Sequence, residues 1–302
     1  MKTSLEHLPP VKQHELGRLV EIIHEEFEDT LTGGSAEYKK RGRILKIILF
    51  GSYSRGTFVD EPHTKKGYRS DYDILIVVNT RKLAAHEYWI KAEDRLMRTP
   101  DIKTPVSLIV HGLRDVNTAL RSGRYFFTDI RKDGIVLYEL SKEPLAEPQQ
   151  LSPTEILEMT KEHIQQHLPE IGDLISGAEF YKMKGNLRRA AFELHQAVET
   201  SYSCVLLALT GYAPPTHNIK FLRGLSEDLD LRLVEAWPRD QNRFAVRFNV
   251  LNEAYVKARY SKHFEISEEA VDWLTERIEQ LHSIVQTLCR ERIEALWRQA
   301  NS

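Results

Sequence analysis

The chain has 302 residues, 28% of them charged, and a formal net charge of −2. That length can bury a sizeable core and favours two domains over one. The near-neutral balance excludes a polybasic nucleic-acid coat and an acidic tail, so any nucleic-acid contact needs a local patch. No apolar run approaches a membrane span, and the opening MKTSLEHLPP lacks the apolar core of a signal peptide. Cys204 and Cys289 lie in apolar, helical-looking segments and read as buried thiols rather than a disulfide or a metal site. The expectation is a cytoplasmic protein with no membrane partner.

Residues from Val11 to Leu31 predict a helix, with Leu16, Leu19, Val20, Ile23 and Phe27 at three- and four-residue steps and Gly33-Gly34-Ser35 as its end. A basic stretch follows, with Lys39, Lys40, Arg41, Arg43 and Lys46. Ile44 to Phe50 is short, apolar and stopped by Gly51, which predicts a buried strand. Thr57 to Ser70 is polar, with Pro62 and Gly67, and reads as a loop. Tyr72 to Val78 predicts a second strand, Lys82 to Arg98 a helix, Pro105 to Val110 a third strand, Leu113 to Leu120 a short helix and Ile135 to Tyr138 a further strand. This alternation predicts an α+β unit over residues 1–142.

Residues 143–153, with Pro144, Pro148 and Pro153, form the expected linker. Residues 154–302 show helical patterns and no convincing strand. Leu187, Ala191, Leu194, Val198, Tyr202, Val205 and Leu209 make one apolar stripe that Gly211 ends. Ala213-Pro214-Pro215 breaks the chain, and later helices run from Gln241 to Arg259 and from Glu268 to Trp297. Helices with short connections imply an all-α bundle.

The candidate chemistry begins at ILKIILF-GS-YSRG and continues at RSD-YD-ILIVV. Glycine at a strand end lets backbone approach a phosphate. A helix starting after Ser52 would turn free amides toward that phosphate, and the serine hydroxyl would add a hydrogen bond. Asp71 and Asp73, two apart on a strand, leave the same face. Two such carboxylates can hold magnesium through oxygen ligands while it keeps phosphate oxygens.

GSYSRG followed by SDYDILIVV resembles the minimal nucleotidyltransferase group of the polymerase-beta-like superfamily, over about the first half of the chain. The resemblance implies a short mixed sheet and Gly51 and Ser52 as a phosphate-binding turn. It implies Asp71 and Asp73 as catalytic metal ligands, with Arg55 and Ser70 as further nucleotide-binding positions. It implies Mg2+ as cofactor and ATP or another NTP as substrate or ligand. Members of the group place a third carboxylate on the next strand, where PVSLIV offers Ser107 as the matching position. A neutral hydroxyl is a weak magnesium ligand and no general base near neutral pH. Three readings stay open: a slow transferase, one that recruits Asp60, Glu61 or Asp115, or a site that only senses nucleotide.

RRAAFELHQAVETSYSCVLLALTGY, PPTHNIKFLR and LNEAYVKARYSKHFEIS resemble HEPN domains, helical bundles that partner minimal nucleotidyltransferases. The order of the two halves also resembles aminoglycoside nucleotidyltransferases of the kanamycin type. Ribonuclease members of the HEPN group carry Arg, four to six residues, then His. Arg259 and His263 are one residue short of that spacing, yet an i, i+4 pair shares a helix face if the helix continues. Arg259 with Tyr260 could grip a phosphate and stack a base. Arg189 and His195 fit the spacing but align poorly on their helix, and His195 reads as a partly buried histidine with one hydrogen bond. Arg239, Arg243 and Arg247 form a basic stripe if helical, with Glu235, Asp240 and Glu253 available to pair with it.

The expected activity is transfer of a nucleoside monophosphate to a hydroxyl on RNA, protein or a small molecule. The resemblances add a toxin–antitoxin or defence setting and a homodimer. The alternatives are a nucleotide-binding regulatory module without turnover and a ribonuclease built on Arg259, Tyr260 and His263.

Overall fold

The computed structural model describes residues 1–32, 36–59, 70–140 and 144–301, except for the side chain of Asn242. Gly33-Gly34-Ser35 and most of the loop expected at 57–70 lie outside the described residues. The described residues form two compact units, the first drawn from 1–59 and 70–150 and the second from 151–301.

The first unit opens with α1 (Pro10–Leu31), one turn of α2 (Glu37–Lys40), strand β1 (Ile44–Phe50) and one turn of α3 (Gly51–Arg55). Next come β2 (Tyr72–Val78), α4 (Ile90–Arg98), β3 (Val106–Gly112), α5 (Leu113–Arg121), α6 (Tyr125–Asp133) and β4 (Ile135–Glu139). The sheet is small and mixed, in the order β3-β2-β1-β4. β1 pairs antiparallel with β2 and β4, and β2 pairs parallel with β3. Every residue of β2 is buried, which is why its sequence is a nearly continuous apolar run.

The two faces of the sheet divide the labour. Tyr72, Ile74, Ile76 and Val78 of β2 join Leu16, Leu19, Ile22, Ile23 and Phe27 of α1 in one core. Side chains alternate along a strand, so Asp73 leaves the opposite face.

The segment 82–98 is not one helix. Arg81–Ala84 and His86–Tyr88 are single 3-10 turns, and α4 starts at Ile90. Ala85 is extended (φ −63°, ψ 136°), and Trp89 Nε1 donates to the Leu83 carbonyl at 2.8 Å. Burying Trp89 with its N–H satisfied outweighs a continuous helix. α6 lies in a segment that the apolar periodicity had not marked as helical, and it buries Phe127 and Ile130.

The second unit is helical: α7 (Pro153–Met183), α8 (Leu187–Thr210), α9 (Ile219–Leu229), a 3-10 turn at Leu231–Ala236, α10 (Asn242–Tyr260) and α11 (Glu268–Ala300). Sequence signals set the ends. Ser152 and Glu155 make a reciprocal cap before α7, Asn186 caps α8, and Gly211 ends α8 at φ 68°. α8 is the central helix and packs against α7, α9, α10 and α11. Its stripe Ala191, Leu194, Val198, Tyr202 and Val205 is fully buried. Cys204 and Cys289 are buried free thiols with their sulfurs 3.8 Å apart. Among the described residues no helix is long and apolar enough to cross a membrane.

Candidate active site

The antiparallel register sets Phe50, the last residue of β1, opposite Asp73 of β2. Gly51 follows at φ +73°, a left-handed conformation that L side chains rarely adopt. A Cβ on Gly51 would fall 2.1 Å from Asp73 Oδ2. The turn is therefore glycine for two reasons: its dihedral, and the carboxylate pressed against it.

The helix begins at Gly51, not after Ser52, and lasts five residues before Gly56 closes it at φ 75°. One turn is too short for a helix-dipole argument. What it contributes is a tight array of backbone amides and the Ser52 hydroxyl. Ser52 is 4% exposed, and its Oγ has no hydrogen-bond partner among the described residues. A buried, unsatisfied hydroxyl costs about 1–3 kcal/mol, so Ser52 Oγ has capacity for one further hydrogen bond. Its neighbour Ser54 is satisfied, donating to the Gly51 carbonyl at 2.9 Å. Arg55 is exposed at the end of α3.

Asp71 immediately precedes β2, and Asp73 is 2% exposed within it. In the parallel pairing Asp73 stands beside Ser107 of β3, so the two side chains share a face. Ser107 Oγ lies 3.4 Å from Asp71 Oδ2, a long hydrogen bond. Gly51, Ser52, Asp71, Asp73 and Ser107 thus converge at one edge of the sheet. Ser70 is buried beside them, but its N–H donates to the Val59 carbonyl (2.8 Å) and its Oγ accepts from the Val59 N–H (3.1 Å). These bonds close the neck of the loop between β1 and β2.

Asp115 does not replace the missing carboxylate. β3 runs parallel to β2 from Val106 to Gly112, and Asp115 follows in α5. The rest of the strand, from Ser107 to Gly112, carries the chain about 16 Å away from Ser107. There Asp115 approaches Arg81 Nε at 4.0 Å. Asp60 and Glu61 lie outside the described residues. Among the described residues no group of three or more His, Cys, Asp and Glu could hold a metal ion. Two carboxylates and a hydroxyl remain a donor set of hard oxygens suited to magnesium bridged to a triphosphate.

In the helical unit, α10 stops at Tyr260 and Ser261 is extended. His263 is exposed beyond the helix, its N–H donating to Ser261 Oγ at 3.2 Å. The i, i+4 argument for Arg259 and His263 therefore fails, because the helix does not continue. Arg259 instead folds back. Its Nε donates to the Tyr255 carbonyl at 2.6 Å, and its guanidinium lies 4.0 Å from the Tyr255 ring centre, 5.1 Å from Tyr260 and 5.2 Å from Phe192. Tyr260 is 74% exposed.

The Tyr255 ring also stacks on His217, with centroids 3.7 Å apart and planes at 17°. His217 Nδ1 sits 3.0 and 3.1 Å from the two Glu199 oxygens. Burial pushes the Glu199 carboxyl up, but the hydrogen bonds and charges of His195 and His217 outweigh it and hold the group below its ordinary range. His195 is fully buried, with Nδ1 against the Leu251 carbonyl at 2.9 Å and Nε2 3.5 Å from Glu199. It has the one hydrogen bond anticipated but more burial. Sequence reasoning missed Glu199 and His217. The one signal for His217 was its place in PPTHNIKFLR.

The basic stripe is absent as a continuous surface. Arg239 precedes α10 and pairs with Glu227, while Arg247 pairs with Glu269 and covers Trp273. Arg243 lies over Phe244. The partners Glu227 and Glu269 come from α9 and α11, not from the nearby acids Glu235, Asp240 and Glu253.

Residues 172–288 match the HEPN domain, so the second half of the chain carries a HEPN domain that includes Glu199, His217, Tyr255 and Arg259. A stretch of 39 residues, 13% of the chain, is 59% identical to part of a Methanocaldococcus jannaschii protein named "Putative protein adenylyltransferase". That match spans 31% of the relative's length. Beside its HEPN domain the chain thus shares one short stretch with that relative.

Proposed function

We propose that the first unit binds a magnesium–nucleoside triphosphate and transfers a nucleoside monophosphate, slowly, to a hydroxyl acceptor. The observation that carries this reading is the buried Ser52 hydroxyl without a hydrogen-bond partner among the described residues, next in sequence to Gly51, whose backbone is pressed against the Asp73 carboxylate. Gly51 and Ser52 hold phosphate oxygens, Arg55 reaches the outer phosphates, Ser70 fixes the loop neck, and Asp71 and Asp73 hold the metal. Bound magnesium supplies charge neutralisation at the triphosphate. The acceptor oxygen bonds to the α-phosphorus, the bond to the bridging oxygen breaks, and pyrophosphate leaves. With Ser107 where a basic carboxylate would stand, the acceptor's proton passes to solvent water, which makes turnover slow. The name of the relative matched over 39 residues supports ATP as the donor. The same reading includes an RNA or protein acceptor, a homodimer and a toxin–antitoxin or defence setting.

The test is incubation with magnesium and α-labelled nucleotides, following label transfer and pyrophosphate release. Asp73→Asn abolishes both, and Ser107→Asp raises the rate about a hundredfold by restoring a general base. Nucleotide binding seen by calorimetry, with no transfer by the wild type or by Ser107→Asp, establishes a regulatory module instead.

One observation favours a second activity in the HEPN domain: Arg259 and His217 both contact the Tyr255 ring, and Glu199 orients His217. Both groups lie within about 4 Å of one ring centre, which makes Arg259 and His217 the candidate pair for one phosphodiester. This replaces the Arg259–Tyr260–His263 pairing with Arg259 and His217. RNA cleavage that survives Asp73→Asn and is lost in Arg259→Ala and His217→Ala supports it. Loss in His263→Ala with His217→Ala unaffected restores the shorter motif.

A further inference from the structure

A basic surface outside these sites lies at the opposite end of β1. α2 and the turn after it carry Lys39, Lys40, Arg41 and Arg43, and the first 3-10 turn after β2 adds Arg81 and Lys82. Asn79 fastens the two segments together. Its N–H donates to the Arg43 carbonyl (3.1 Å), its Nδ2 to the Arg41 carbonyl (2.7 Å), and its Oδ1 accepts from the Arg43 N–H (3.0 Å). Gly42 between the arginines is buried so closely that a Cβ would meet Leu31 and Leu83 at 2.7 and 2.9 Å. The backbone is thus pressed onto the core while Arg41 and Arg43 stay exposed on either side.

Two tyrosines lock the rest. Tyr38 and Tyr88 share a hydroxyl–hydroxyl hydrogen bond of 3.0 Å. Lys82 Nζ sits 5.0 Å from the Tyr38 ring and Lys39 Nζ 5.1 Å from the Tyr88 ring, so each segment's lysine covers the other segment's tyrosine. The acids facing the patch are fewer. Glu37 engages Lys40 (3.3 Å) and Arg41 (3.6 Å), Asp115 approaches Arg81 (4.0 Å), and Glu87 lies beside Tyr88. Lys39, Arg43 and Lys82 have no carboxylate within ion-pair distance among the described residues. Lys46, in the same basic stretch, is buried and paired with Glu139, so it takes no part.

We propose that this patch docks the sugar–phosphate backbone of single-stranded RNA. Lys39 and Lys82 are held over tyrosine rings and Arg43 on the Gly42 carbonyl before binding, which lowers the entropy cost of a polyanion contact. The tyrosine faces are already covered by lysines, so the contact is to phosphates and is independent of sequence. Among the described residues no large hydrophobic side chain of 36–43 or 79–84 is exposed, so the patch has no apolar anchor for a bilayer. The patch lies one strand length, about 20 Å, from Asp71 and Asp73. A strand docked there can extend toward that site, but the docking itself does not depend on the transferase reading.

The test is fluorescence anisotropy of the full chain with a labelled 2′-O-methyl RNA of about 20 nucleotides, which cannot be cut through its 2′-hydroxyls, across a salt series. Affinity falls with salt at about 0.7 in log–log slope per phosphate contacted. The variant Lys39→Glu/Arg43→Glu/Lys82→Glu binds at least tenfold more weakly, with a slope shallower by about 2. The control Arg121→Glu/Lys132→Glu/Arg290→Glu stays within twofold of wild type. Circular dichroism and melting verify folding, and Lys39→Gln/Arg43→Gln/Lys82→Gln replaces the first variant if it does not fold. Equal binding by patch variant and wild type overturns the proposal, as does an equal loss in the control. So does patch-dependent binding to phosphatidylserine vesicles with RNA binding unchanged.

Discussion

Gly51 and Asp73 share one small volume, and each residue is constrained by the other. Gly51→Ala places a methyl group on the Asp73 carboxylate at a positive φ. It should lower stability by about 1–3 kcal/mol and remove nucleotide binding, as read by melting and calorimetry. Ser52→Ala behaves oppositely. The Ser52 hydroxyl makes no bond among the described residues, so its removal leaves stability unchanged or slightly raised. The same change should weaken nucleotide binding about tenfold through one lost phosphate contact. A fall in melting temperature with unaltered affinity would show the hydroxyl to be structural. Gly51, Ser52, Asp71 and Asp73 could be picked out as candidates because each pair sits where an apolar run stops or starts, but their meeting depends on the antiparallel register of β1 and β2. Ser107 was legible as the one polar residue in an apolar strand. Asp115 needed the strand direction to be eliminated. Glu199, His217 and Tyr255 were illegible as a group because a helix break and a long sequence separation divide them.

At the scale of elements, the strands and long helices followed from apolar periodicity and from end signals such as Gly51, Gly211 and the Ser152–Glu155 cap. The segment 81–89 did not, because a buried tryptophan with a backbone partner overrides local pattern. Nor did the end of α10, whose position decides that His263 and Arg259 do not share a helix face. The link between α8 and the segment before α9 runs through Glu199 and His217, and it has a pH signature. The Glu199 carboxyl is depressed in the folded state from an ordinary value of 4.5. Its contribution is therefore complete above that ordinary value and is lost as the pH falls through the lower, folded value. Wild type should lose melting temperature below about pH 4.5 more steeply than Glu199→Gln, whose curve lacks this component. Parallel curves for the two proteins down to pH 3 would remove the role assigned to Glu199.

For the whole molecule, nucleotide and stability are coupled by mass action. Saturating magnesium–ATP at about 100 times its dissociation constant should add about 2.7 kcal/mol of stability. A thermal shift is then expected in wild type and absent in Asp73→Asn. A shift of equal size in both proteins would place the nucleotide elsewhere. The division into a mixed-sheet unit and a helical unit was visible in the sequence as a change from alternating strands and helices to helices alone. The HEPN match to residues 172–288 agrees with the second part of that division.

The thiol pair between α8 and α11 provides a clock for the helical unit. Cys204 and Cys289 are 0% and 2% exposed, so a bulky aromatic disulfide reagent reaches them only when the helices part. The rate of thiol modification in native buffer then reports the opening free energy of that core without denaturant. If α8 and α11 open as one cooperative unit, both sulfurs react at the same rate. A faster Cys289 would show α11 detaching on its own.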